Sequence, residues 1–176
     1  PSSTQIISLN GKSFKEICTE ILKLGEQLDA EKKAIQHVNK AIERKDKLDQ
    51  LPKHSHRVLC LEWIDPYFSA GHWVPEQIEM AGFHSAIGKK GEISRVLTID
   101  EIVTSEPDVI AVICCGYKIE ENRSFVKTLK TNSEINFLKP FLSKNVYAFD
   151  SDSFFSRPTT RIIEGAEQLR DAILNK

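Results

Sequence analysis

The residue types with the most chemical potential lie between Cys60 and Phe83, in the stretch CLEWIDPYFSAGHWVPEQIEMAGF. Glu62, Asp65 and His72 supply two carboxyl groups and an imidazole, the ingredients of a general acid/base set. Their spacing fixes no common face. Asp65-Pro66 also reads more simply as a turn, with the Asp side chain bonding local backbone. The same stretch holds both tryptophans, Trp63 and Trp73, together with Tyr67 and Phe68. Aromatics and charges spent where a chain leaves a buried strand describe the wall of a ligand cleft in an α/β protein. Other catalytic arrangements are missing from the sequence: no nucleophile elbow with Ser-His-Asp order, no G-x-G-x-x-G, no P-loop. His54-Ser55-His56 lacks an adjacent third metal ligand. His72, His84, Cys114 and Cys115 match no metal-binding spacing. The sequence therefore assigns no catalytic residue and no metal site.

Composition narrows the class. The 176 residues are 40% hydrophobic and 28% charged, with a net charge of −1. That is enough chain for one medium domain with a core, and no charge excess attracts nucleic acid or an anionic membrane. No apolar run approaches the length of a membrane span, and no signal peptide is visible. The four cysteines, Cys18, Cys60, Cys114 and Cys115, include no C-x-x-C pair. They read as reduced, buried small hydrophobes, which leans towards a reducing compartment.

The elements that must position the stretch follow from periodicity. Ile6 to Leu9 reads as a short strand closed by Asn10-Gly11. Ser13 and Glu16 form an S-x-x-E capping box for a helix whose apolar face is Phe14, Ile17, Cys18, Ile21, Leu24 and Leu28. From Ala30 to about Gln50 a charged helix with a thin apolar stripe runs on, ended by Leu51-Pro52. It suits either a peripheral helix or a strut across a domain boundary. Arg57 to Leu61 is a strand, and a helix begins at Trp73 or Val74 and stops at Gly82. Ser94 to Leu97 suggests a short strand, and Thr98 with Glu101 caps the next helix. Asp108 to Cys115, DVIAVICC, has the uninterrupted apolar character of a strand buried on both faces. A helix from Ile119, a strand from Asn145 to Phe149, a polar loop from Asp150 to Pro158 and a terminal helix from Thr159 complete the chain. Alternating strands and helices from about residue 57 imply an α/β fold: a mostly parallel sheet flanked by helices, one Rossmann-like lobe, preceded by a long helix.

Ligands of parallel sheets bind beyond the carboxyl ends of the strands. Three loops fall there, at Glu62 to His72, Cys115 to Lys118 and Asp150 to Arg157. They contribute Trp63, Tyr67, Phe68, His72 and Trp73, then Tyr117, then Phe154, Phe155 and Arg157. Such an aromatic rim with few polar groups suits a large, partly flat ligand better than a phosphate or small ion.

E-W-x-D-P at Glu62 to Pro66, A-G-H-W-V-P-E at Ala70 to Glu76 and M-A-G at Met80 to Gly82 resemble the cobalamin-binding branch of the helical-backbone substrate-binding proteins of ABC transporters. P-D-V-I at Pro107 to Ile110, C-G-Y at Cys115 to Tyr117, N-V-Y-A-F-D at Asn145 to Asp150 and Arg157-Pro158 extend the likeness over nearly all of the chain. Two positions depart from the usual pattern: Phe83 where A-G-G is common, and Cys114 where a proline often precedes Cys-Gly. The resemblance implies a two-lobed receptor for cobalamin, haem or an iron–siderophore, with one long helix joining the lobes and the ligand between them. Residues 1–28 then correspond to the end of a first lobe, 29–52 to the backbone helix and 53–176 to the second lobe. The chain is expected to be a fragment whose missing lobe, or a second copy, covers the apolar stripe of the long helix.

The implied function is capture, without catalysis, of a cobalamin-like corrinoid or related metal chelate and its delivery to a membrane ABC permease, outside the cytoplasm. Expected ligand contacts are Glu62, Trp63, Asp65, Phe68, His72, Trp73, Tyr117, Phe154 and Arg157. Glu76 and Glu101 are the expected acidic docking residues for the permease. The alternative is a cytoplasmic corrinoid-handling protein or enzyme that reuses the fold, motivated by the four cysteines and the Glu62, Asp65 and His72 group.

Overall fold

The computed structural model describes residues 6–175. Its centre is a sheet built on β1 (Arg57–Ile64) and β4 (Val109–Val112), with spatial order β2-β1-β4-β5. β2 spans Tyr67–Ser69 and β5 spans Val146–Ala148. A fifth strand, β3 (His84–Ser85), pairs with the first residues of β1 on the edge where β2 pairs with its last residues. β3, β4 and β5 run parallel to β1 or to each other, and β2 alone is antiparallel.

Period-two alternation divides the apolar residues between two cores. Val58, Cys60, Val109, Ala111 and Ile113 face one cluster, with α3 (Val74–Met80) and α8 (Ile162–Leu174). Leu59, Leu61, Ile110, Val112 and Cys114 face the other, with α4 (Ile99–Thr104) and α5 (Ile119–Thr131). Both faces are covered, as the uninterrupted apolar run in β4 requires. The α/β architecture expected from the alternating pattern is the one observed.

The two leading helices pack on the first of these cores. α1 (Phe14–Gln27) places Phe14, Ile17 and Cys18 in it, and α2 (Glu31–Asp49) adds Val38, Ala41 and Leu48. They turn about Asp29 (φ 52°) and approach closely at Gly25, where a Cβ would lie 2.4 Å from that of Ala34. α2 is held by Arg44, whose guanidinium bonds Glu164 and Glu167 of α8 at 2.7 Å each. Its outer stripe stays uncovered, with Ile35 and Ile42 exposed.

Several expectations need correction. Ile6 to Leu9 form no strand; they are exposed coil, because no strand edge among the described residues reaches them. The S-x-x-E box is half formed: Ser13 accepts from the Glu16 amide, but the Glu16 carboxylate takes the Lys12 amide at 2.8 Å. Ser94 to Leu97 contribute only an isolated bridge between Val96 and Phe68. The loop after Asp150 opens with a helical turn, α7 (Ser151–Phe154), because the Asp150 carboxylate accepts the Ser153 amide at 3.0 Å. A further turn, α6 (Lys139–Leu142), precedes β5.

Candidate functional site

β1 runs three residues beyond its expected end, to Ile64, and turns through a cis Asp65-Pro66 bond into β2. The irregular stretch is therefore a hairpin, with a register irregularity between Leu61 and Trp63. The hairpin stands at the carboxyl end of β1, beside the carboxyl end of β4. The two ends are tied where the Cys115 amide donates to the Glu62 carbonyl at 3.0 Å. Between them opens a cleft of about 370 Å³ lined by Glu62, Trp63, Pro66, Phe68, Ser94 and Cys115, almost wholly apolar at its surface.

Trp63 is 38% exposed. Its indole N–H donates to the carbonyl of Asp65 at 2.9 Å, which fixes the ring while leaving its face open. The Asp65 backbone, not its carboxylate, thus organises this turn. Tyr117 stands 5.7 Å from Trp63 and meets Phe125 edge-on at 5.1 Å, so the aromatic wall is continuous with the α5 side of the core. Aromatic pairs at these separations are attractive and mutually orienting.

Glu62 is the polar group of the cleft. Its carboxylate accepts from the Ser94 hydroxyl and, at 3.5 Å, from the Gly71 amide. Burial pushes its pKa up, while the Ser94 hydroxyl, the Gly71 amide and the nearby His72 pull it back. His72 occupies a left-handed conformation (φ 55°). Its backbone bridges to the 88–94 loop: its amide donates to Glu92 at 2.6 Å and its carbonyl accepts from Gly91 at 2.8 Å. That loop delivers Ser94 to Glu62. No two members of the Glu62, Asp65 and His72 group are in hydrogen-bond contact.

The remaining expected contacts stand apart from the cleft lining. Trp73 packs against the first core and donates its indole N–H to the Phe155 carbonyl at 3.0 Å. Phe154 also packs on that core, under the Arg161 guanidinium. Arg157 is exposed and paired with Asp152 at 2.6 Å. Glu76 cannot serve as a surface docking acid. It is buried, and its carboxylate accepts the Phe14 amide at 2.7 Å and an ion pair from Lys90. Glu101 is accessible, although bonded to the Thr98 amide and to Arg95.

Pattern reading missed Ser94, Cys115 and Asn122. Cys18, Cys60 and Cys114 are buried thiols as expected, whereas Cys115 is exposed on the cleft. Asn122 is fully buried and couples the ends of β4 and β5. It accepts the Cys114 amide at 3.0 Å and donates to the Phe149 carbonyl at 2.8 Å. Its signal was a lone polar residue on the inward face of α5.

A family model described as periplasmic binding protein matches residues 3–153. The chain belongs to the periplasmic binding protein family. No curated protein sequence matches it. Among solved structures, an ABC transporter substrate-binding protein from Listeria monocytogenes EGD-e aligns over 97% of this chain and 68% of its own, with TM-score 0.85 and 18% identity. S. aureus IsdE complexed with heme aligns over 97% and 69%, with TM-score 0.81 and 19% identity. The periplasmic vitamin B12 binding protein BtuF of Vibrio cholerae aligns over 96% and 64%, with TM-score 0.71 and 17% identity. At these identities the likeness shows the fold, and this periplasmic binding protein spans about two thirds of the length of the structures it matches. Among the described residues no helix is long and apolar enough to cross a membrane.

Proposed function

We propose that the chain forms one wall of a receptor for a large, flat metal chelate of the corrinoid type, held without catalysis and passed to an ABC permease. One observation carries the reading: an almost wholly apolar cleft, walled by Trp63, Pro66 and Phe68, at the carboxyl ends of β1 and β4. Ring faces there supply stacking area for a planar macrocycle, and Glu62 and Ser94 supply polar contact at its edge. Tyr117 backs Trp63, while Asp65 and His72 shape the loops around it. Trp73 and Phe154 pack on the first core, and Arg157 is exposed and paired with Asp152.

The relatives named with heme and vitamin B12 support a chelate as the ligand class. Family membership supports an extracytoplasmic place of work. In this reading residues 53–176 are the ligand-facing lobe and 29–52 the backbone helix. Residues 1–28 border a second lobe, or a second copy, that supplies the opposite wall. Glu101 is then the acidic residue presented to the permease.

Titration of the full-length protein, opposite wall included, with aquocobalamin, followed by tryptophan emission and equilibrium dialysis, tests the proposal. Saturable quenching with matching retention of corrinoid is expected. Absence of both sinks the corrinoid reading.

A further inference from the structure

The 150–158 loop reaches the cleft through its serines. Neither Phe154 nor Arg157 lines the cleft, whereas Cys115 does, and Tyr117 stands against Trp63. Cys115 and Tyr117 belong to the turn that follows β4, closed where the Tyr117 amide donates to the Cys114 carbonyl at 3.1 Å. Two hydroxyls of the loop clasp that turn. Ser151 is buried, with its hydroxyl 2.7 Å from the Ile113 carbonyl. The Ser156 hydroxyl lies 2.8 Å from that of Ser151 and 2.9 Å from the Gly116 amide. The two ends fix the direction of the chain. A carbonyl only accepts, an amide N–H only donates, and each hydroxyl has one proton to give. Gly116 therefore donates to Ser156, Ser156 to Ser151, and Ser151 to Ile113. A further bond, from the Asp152 amide to the Tyr117 carbonyl at 3.1 Å, joins the same two segments. The loop is itself anchored from α3 and the residue before it: Trp73 and Gln77 donate to the Phe155 and Phe154 carbonyls at 3.0 Å each.

We propose that Ser156 is a positioning residue of the cleft. It passes the anchorage of this loop on to the turn after β4, and so sets where Cys115 and Tyr117 stand relative to Trp63. Without its hydroxyl, the Gly116 amide loses its acceptor and Ser151 loses the bond that ties it to the turn's far side. An aromatic wall held in its binding geometry spares a ligand the cost of ordering it. The consequence for ligand rests on the chelate-receptor reading above; the clasp on the turn does not.

Ser156→Ala and Ser156→Thr in the full-length protein test the role, by amide hydrogen exchange and by equilibrium dialysis with aquocobalamin. The Tyr117 amide is the reporter, because it is bonded within the turn and not to either serine. Ser156→Ala is expected to speed its exchange about fivefold or more beyond any change at the Val38 amide of α2, roughly the worth of one hydrogen bond. Aquocobalamin binding should weaken by a similar factor. Ser156→Thr keeps the hydroxyl and should restore both. Tyr117 exchange that changes no more than that of Val38, losses as large in Ser156→Thr, or unchanged affinity in Ser156→Ala where wild type binds corrinoid, each overturns the positioning role. A wild type that binds no corrinoid overturns the receptor reading instead, and exchange at Tyr117 then decides the clasp alone.

Discussion

The Glu76 carboxylate accepts the backbone N–H of Phe14 at 2.7 Å, across 62 residues of sequence. It satisfies a first-turn amide of α1, one of the donors a helix leaves unpaired, and bolts that helix to α3. An acid that the sequence pattern suggests for the surface is thereby a structural joint.

Removing the joint should cost stability. Glu76→Ala leaves the Phe14 amide without its buried acceptor and should destabilise the protein by about 1–3 kcal/mol. Glu76→Gln keeps a carbonyl acceptor and should lose less. Urea denaturation of both variants checks the order; equal midpoints for Ala and wild type would refute it.

Gly71 sets the distance between the two halves of the site. A Cβ there would lie 2.4 Å from the Ser94 amide nitrogen and 2.6 Å from the Ile93 carbonyl carbon. Both neighbours are backbone, so Gly71→Ala must push the 92–94 segment away from Glu62. A loss of about 1–3 kcal/mol, typical of overpacking, is expected, together with weaker chelate binding. Thermal unfolding and dialysis on one variant read both.

Glu62 predicts a pH dependence. Burial, partly offset by Ser94, Gly71 and His72, holds its carboxyl above the ordinary glutamate range in the folded protein. The native state then keeps the proton longer than the unfolded chain. Stability is lost as pH rises from the unfolded value through the folded one. Glu62→Gln removes that titration. The melting temperature of the variant relative to wild type should rise as pH climbs from the ordinary glutamate pKa through the raised folded one; a constant difference would contradict the assignment.

The two tryptophans should respond differently to ligand. Trp63 presents an open face to the cleft, while Trp73 is pinned to the Phe155 carbonyl against the core. Trp63→Phe should abolish most of the corrinoid-dependent quenching, and Trp73→Phe should preserve it at some cost in stability. Quenching retained in Trp63→Phe would move the site elsewhere.

Thiol chemistry gives an independent readout of the cleft. Cys115 is exposed, while Cys18, Cys60 and Cys114 are buried. Burial raises the Cys60 thiol pKa strongly and pushes that of Cys114 up to about 12. Thiolates are the reactive form. The native protein should therefore react rapidly with one equivalent of a maleimide, at Cys115, and with four equivalents once unfolded. Bound chelate should protect Cys115.

The sequence by itself determined the central strands β1, β4 and β5 and the main helices that cover them. The apolar run around Val109 to Cys114 is readable because a strand covered on both faces has no polar positions to reveal. Ser13 and Thr98 mark helix starts because their hydroxyls meet amides three residues on. These are local consequences of backbone periodicity and capping. Only the tertiary structure decided which side chains share the cleft. Ser94 reaches Glu62 across 32 residues, and Cys115 arrives from the neighbouring strand. Trp63 and Trp73, ten positions apart and alike in type, divide between the cleft lining and the core. The partner of a polar or aromatic group is whatever the fold carries next to it, and no spacing within one segment encodes that neighbour.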